Sequence, residues 1–253
     1  MAKELQKKVK NEVAVNSMSD VIGFEDGDNW GAGSNIDNAD IILPKILLMQ
    51  QISELVEGEK ARSGDLVNSL TEAVIGKSLD FIVFDTFKTM QTYVNDKYES
   101  TEPYTPDMAK LPYEEAVPEG KLTRSIIINY YVLIAKDVEE GVPLPMVISF
   151  RRTSAKAGKK LASMLKILDM FKKPSAAKVY TLGSKQEESD KGKYNVLTVE
   201  EARNSSREEV DIARSMYEAL ASRKDKVKIH DTDKVQKEEV AGETVAGDND
   251  IPF

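Results

Sequence analysis

The sequence predicts a mainly β fold with helices (α+β), a small Greek-key barrel with one internal and one C-terminal helix. Three observations lead there. Short runs dense in Ile, Val, Tyr and Phe recur between Gly, Pro and Asn/Asp punctuation, which suits strands on a half-buried surface. Only two later stretches carry apolar residues at a helical spacing that could pack, residues 161–168 and 210–220. Both ends of the chain are polar and lack such a stripe.

Residues 1–40 read as a flexible N-terminal arm. Leu5, Val9 and Val13 permit a helical turn, but the stripe is too thin to hold a helix alone. The segment EDGDNWGAGSNIDNAD is loop-like, and its Trp30 has two readings, a plug at the core edge or a base-stacking platform. The body, residues 41–200, opens with IILPKILLMQ, where Pro44 argues against a helix. Strands are expected near residues 46–50, 65–68 and 79–87, with 90–94 continuing or pairing with the last. Residues 95–120, with four prolines and three tyrosines, read as a long loop insertion. A β-rich run at 126–134, a turn at Glu139-Glu140-Gly141 and a second run at 146–150 make a central hairpin. A helix follows, on Leu161, Met164, Leu165 and Leu168. Two more strands, 178–182 and 194–199, flank a polar loop. Ser205-Ser206-Arg207-Glu208-Glu209 is a capping-box signal that opens the C-terminal helix, placed at 201–223. Residues 224–253 read as a disordered acidic tail. Long loops, several short strands and one internal helix in this order fit a barrel of the OB type best, with a small β-sandwich as the alternative.

Charge narrows the function. The 253 residues carry a net charge of −8, yet residues 121–178 hold 12 Lys/Arg against 4 Asp/Glu. A basic centre in an acidic chain points to a polyanionic partner, although a solvated helix face is the plainer reading. Arg124, Arg151, Arg152, Lys156, Lys159 and Lys160 are the candidate phosphate contacts. Tyr130 and Tyr131 are neighbours in a strand and so point to opposite faces. One is assigned to the core and the other to base stacking, with the sequence silent on which. Phe84, Phe87, Tyr93 and Phe150 carry the same two readings.

Other chemistries find little footing. There is no cysteine and one histidine, His230, which disfavours thiol catalysis, Cys-based zinc sites and histidine-base mechanisms. No P-loop is present, and no cofactor is implied. No apolar run is long enough to cross a membrane as a helix, and the N-terminus lacks a secretory pattern. Pro106-Asp107 followed by Glu119-Gly120-Lys121 spells the pattern of a Mg²⁺-dependent nuclease, but within a proline-rich stretch rather than on a core strand.

The last six residues, Asp248-Asn249-Asp250-Ile251-Pro252-Phe253, resemble the C-terminal tip of bacterial single-stranded DNA-binding proteins. Ile251, Pro252 and Phe253 are identical to that tip, and Asn249 replaces one acid. Acidic tails ending in phenylalanine also occur in bacteriophage single-stranded DNA-binding proteins. The body, with ILPKILLMQ, SGDLVNS and an Ile-Gly before a strand, is similar to phage-type OB proteins of that class. The resemblance implies a non-enzymatic protein that coats single-stranded DNA in replication, recombination or repair. It implies the cytoplasm of a bacterial host, and host or phage replication and repair proteins as partners held by Asp248, Asp250, Ile251, Pro252 and Phe253. A tethered aromatic beside a carboxylate needs only an apolar pocket with a basic rim. A strand-annealing or replisome adaptor protein is the alternative from another class.

Overall fold

The computed structural model describes residues 42–189, 192–221 and 228–229. Nearly all strands join one mixed sheet, whose path is β11 (Gly192–Asn204), β10 (Lys178–Ser189), β5 (Ser78–Val94), β8 (Gly120–Ile134), β9 (Pro145–Phe150), β2 (Lys45–Leu48), β3 (Leu66–Asn68) and β4 (Val74–Gly76). Off this path, β6 (Lys97–Pro103) pairs with β5 and β7 (Glu114–Val117) with β8. The β2–β9 pair is parallel, and the other pairs in this sheet are antiparallel. A small parallel pair joins β1 (Ile42–Leu43) to β12 (Lys228–Ile229). The helices are α1 (Glu54–Glu57), α2 (Ala135–Glu139), α3 (Ala155–Met170) and α4 (Arg207–Ala221).

The mainly β class with helices therefore stands, and the sheet is barrel-like without a closed backbone ladder. Side chains lace its seam. The Gln50 amide, just past β2, donates to the carbonyl of Asn195 on β11 and accepts from its N–H, at 3.0 and 2.9 Å. Asn195 Nδ2 reaches Met49 O and Ser63 Oγ. One glutamine thus reproduces a rung that the backbone does not make.

Alternation sorts the central strands into two cores. Inward residues Phe81, Val83, Tyr130, Val132, Ile148 and Phe150 pack with Tyr180, Leu182 and Leu161 of α3. Outward residues Ile82, Phe84, Tyr131, Leu133 and Val147 pack with Val138 of α2 and Ala213 and Leu220 of α4. A bulge between Val83 and Asp85 explains why Phe84 and Phe87, three residues apart, both meet the Tyr131 ring, with centroids 6.0 and 4.8 Å away.

Two expected loops are strands. Asn95 and Asp96 take φ of 50° and 63°, the left-handed pair of a tight hairpin turn, so the chain turns directly into β6. Residues 95–120 hold β6, a 3-10 turn (Pro106–Lys110) and β7 rather than a single loop. The polar stretch before residue 190 continues β10 to Ser189, paired with β11. Its residues are polar because most of this part of the hairpin lies exposed beyond the core. The N-terminal arm, with Trp30, and His230 lie outside the described residues.

Candidate nucleic-acid interface

The outer face of β5, β8 and β9 changes character along its length. Around Leu133 and Tyr131 it is apolar and covered by α2 and α4. Further along β8 the outward positions become Asn129, Ile127, Ser125 and Thr123, which give a helix little to pack against. Asn129 Nδ2 donates to Thr89 Oγ1 at 3.1 Å, and Ser149 Oγ donates to Asn129 Oδ1 at 2.7 Å. This side-chain chain crosses three strands and floors a cleft of about 90 Å³, with Phe87, Lys45 and Arg151 among its walls. Small-molecule sites run to roughly 300–1,000 Å³. A cleft this size suits a phosphate or one polar edge of a larger ligand. Sequence reading found Arg151 but missed Lys45, Thr89 and Asn129. The polar outward positions Asn129, Ser125 and Thr123, interrupted only by Ile127, were the signal available.

Past Arg151 a 3-10 turn (Arg152–Ser154) leads into α3. Only the backbone of Arg152 is described. The Ser154 hydroxyl accepts the Leu197 N–H of β11 at 3.1 Å, so it does not cap the helix. α3 is seated very closely. A Cβ on Gly158 would lie 2.6 Å from Phe150 Cβ, and Tyr130 Oη donates to the Gly158 carbonyl at 2.7 Å. With that face fixed inward, Lys156, Lys159 and Lys160 stand exposed on the other. None of the three has a carboxylate partner among the described residues. The first turn of α3 holds no acid and contains Lys156, a charge opposed by the helix dipole.

Three candidates land elsewhere. Arg124 is neutralised: its guanidinium lies 2.7 Å from Glu115 and donates to Pro112 O at 3.2 Å, with 17% of the side chain exposed. The β7–β8 hairpin sets Glu115 opposite Leu122 and so diagonal to Arg124, a pairing hidden when residues 95–120 are read as loop. Tyr130 is wholly buried in the inner core and Tyr131 is 6% exposed in the outer one. They do face opposite ways, but the outward ring is buried in the outer cluster against Phe84 and Phe87, so neither offers a face to a base. Burial pushes the Tyr130 hydroxyl above the usual phenol range. Burial and then the Asp85 charge push Tyr131 up to about 12.

The nuclease pattern is dispersed into local pairs, Asp107 with Lys110 at 3.0 Å and Lys121 with Glu114 at 2.9 Å. The Glu114 carboxylate, by hydrogen bond and charge, raises the Lys121 pKa. Among the described residues no group of three or more His, Asp or Glu is placed to hold a metal. No helix among them is long and apolar enough to cross a membrane. The tip residues Asp248, Asp250, Ile251, Pro252 and Phe253 lie outside the described residues.

No curated protein and no solved structure matches the chain. A family model does, over residues 11–94 and 114–226. It spans the central sheet, α3 and α4, and leaves out β6 and the tip. On that match over most of its length, the chain is a phage protein and belongs to the Pam3 phage gp34-like protein family.

Proposed function

We propose that the protein binds single-stranded DNA through its OB-like body and recruits replication, recombination or repair proteins through its C-terminal tip, in the cytoplasm of the bacterial host. The observation that carries this reading is the basic face of α3. Lys156, Lys159 and Lys160 are exposed and have no carboxylate partner among the described residues, in a protein of net charge −8. Surface lysines in an acidic protein readily find carboxylates, as Lys60, Lys121 and Lys178 do with Glu72, Glu114 and Glu201. Three that do not, on one face, suit a row of phosphates. Arg151 directly follows β9 and lines a cleft whose amide and hydroxyl groups suit base or sugar edges.

The reading is tested by titrating the full-length protein into labelled single-stranded and duplex oligonucleotides at several salt concentrations. Single strands should bind more tightly, with log affinity falling linearly against log salt. Preference for duplex, or affinity indifferent to salt, contradicts it. Removing residues 248–253 should leave that binding intact while host or phage proteins are lost from pull-downs. Retention of every partner by Phe253→Ala contradicts the role given to the tip.

A further inference from the structure

The end of α3 carries a second anomaly. Ile167, Met170 and Phe171 are 53%, 74% and 72% exposed, on the same side of the helix as Lys156, Lys159 and Lys160. The helix closes with a Schellman motif: Lys173 N–H donates to Leu168 O and Lys172 N–H to Asp169 O, both at 2.9 Å. Lys172 therefore sits in the left-handed region, with φ 55°. That position favours glycine, because a Cβ there is crowded. The next position commonly holds an apolar residue that packs back on the helix. Here it holds Lys173, which is exposed. Both positions where the motif favours other residues are given to lysine, directly after an exposed phenylalanine. Strain of this kind in a hydrogen-bonded cap points to use.

We propose that Phe171 is a base-stacking residue for single-stranded nucleic acid, with Lys172 and Lys173 holding the flanking phosphates. This rests on the function proposed above and extends its site along α3. From Lys156 to Phe171 the helix rises about 22 Å, so one strand laid along this face meets cations at both ends and a ring at the far one. A nucleobase gains from a flat open ring with a cation on either side. An acidic peptide also fits the charge, but an apolar peptide side chain needs enclosure, and Phe171 lines neither the sheet cleft nor the one beside Arg203.

The experiment measures binding of full-length variants to a labelled oligothymidylate, alongside melting temperature. Phe171→Ala should weaken binding about 5- to 150-fold, as for loss of one stacked base, with an unchanged salt slope. Phe171→Trp should retain affinity and show fluorescence quenched by the oligonucleotide, read against the wild-type background from Trp30. Lys172→Gly should raise the melting temperature by about 2–4 °C, because the strain is relieved, and weaken binding. A wild type that binds while Phe171→Ala binds equally well overturns the stacking role and leaves the proposed function standing. A wild type that binds no single strand overturns both. Phe171-dependent binding of an acidic peptide ending in Asp-Ile-Pro-Phe, with oligothymidylate binding indifferent to Phe171, overturns the choice of ligand.

Discussion

α3 and α4 do the same structural task by opposite means. Each lays one apolar face on the central sheet, α3 on the inner core and α4 on the outer. α4 is finished at its N-terminus in every way a helix can be. The Ser206 hydroxyl accepts the Glu209 N–H at 3.1 Å, and the Glu209 carboxylate accepts the Ser206 N–H at 2.7 Å. Arg203 grips the same carboxylate with two bonds of 2.8 Å, and Glu208 and Glu209 suit the dipole. α3 has no side-chain cap, no acid in its first turn, three lysines without a carboxylate partner among the described residues, and a left-handed lysine at its end. A helix selected only to hold the fold is expected to resemble α4. On the proposed function, the difference marks where stability is given up for binding.

The largest effects should come from breaking what α4 has. Glu209 is almost fully buried, so Glu209→Ala removes a cap and the two shortest bonds of the Arg203 guanidinium, leaving it Glu139 at 3.4 Å. It should cost about 3 kcal/mol, the lower end for breaking a buried pair, because Arg203 remains partly exposed. The Arg203 hydrogen bond, helped by the Ser206 N–H, holds the Glu209 carboxyl below its ordinary 4.5. Its contribution is fully present above about pH 4.5 and is lost as pH falls through the lower folded value. Urea melts should show the wild-type advantage over Glu209→Gln shrinking below that pH. The matching break in α3 is Gly158→Ala, whose methyl meets Phe150. It should cost about 1–3 kcal/mol by overpacking, although alanine is the better helix former.

A finer contrast lies between two tyrosines of the inner core, both wholly buried. Tyr130 donates to the Gly158 carbonyl, whereas the Tyr180 hydroxyl has no hydrogen-bond partner among the described residues. Tyr130→Phe should cost about 1 kcal/mol, and Tyr180→Phe should be neutral or stabilising in the same thermal melts. Smallest of all, Lys156→Glu should stabilise the protein by about 0.3–1 kcal/mol, since it corrects the charge facing the dipole. It should also weaken single-strand binding. A variant that gains stability and keeps full affinity removes the reason given for that lysine.

Where a run of side chains alternates, or repeats at helical spacing against one core, the sequence was readable. The strand around Ile82, the hairpin ending at Phe150 and the Ser206–Glu209 cap all stand where the pattern put them. Polar strands were not readable, because β6, β7 and the end of β10 are held by partners rather than by burial. Nor could the fate of Tyr131 be read locally. It is buried against Phe84 and Phe87 of a different strand, in a cluster that α4 completes, and the bulge that brings those two rings together leaves no mark in the spacing. Arg124 was misjudged for a related reason: its charge was counted without the carboxylate that β7, the other strand of its hairpin, supplies. The lysines of α3 were legible because their helix exposes them whatever it packs on.

The central claim is that those lysines remain unneutralised so that they can meet phosphates. The most direct test is the salt dependence of single-strand affinity for the wild type and for Lys156→Gln/Lys159→Gln/Lys160→Gln. Each phosphate contact contributes about −0.7 to the log–log slope, so the triple variant should flatten it by about 2, with stability unchanged within about 0.5 kcal/mol. An identical slope in the two proteins would contradict the account.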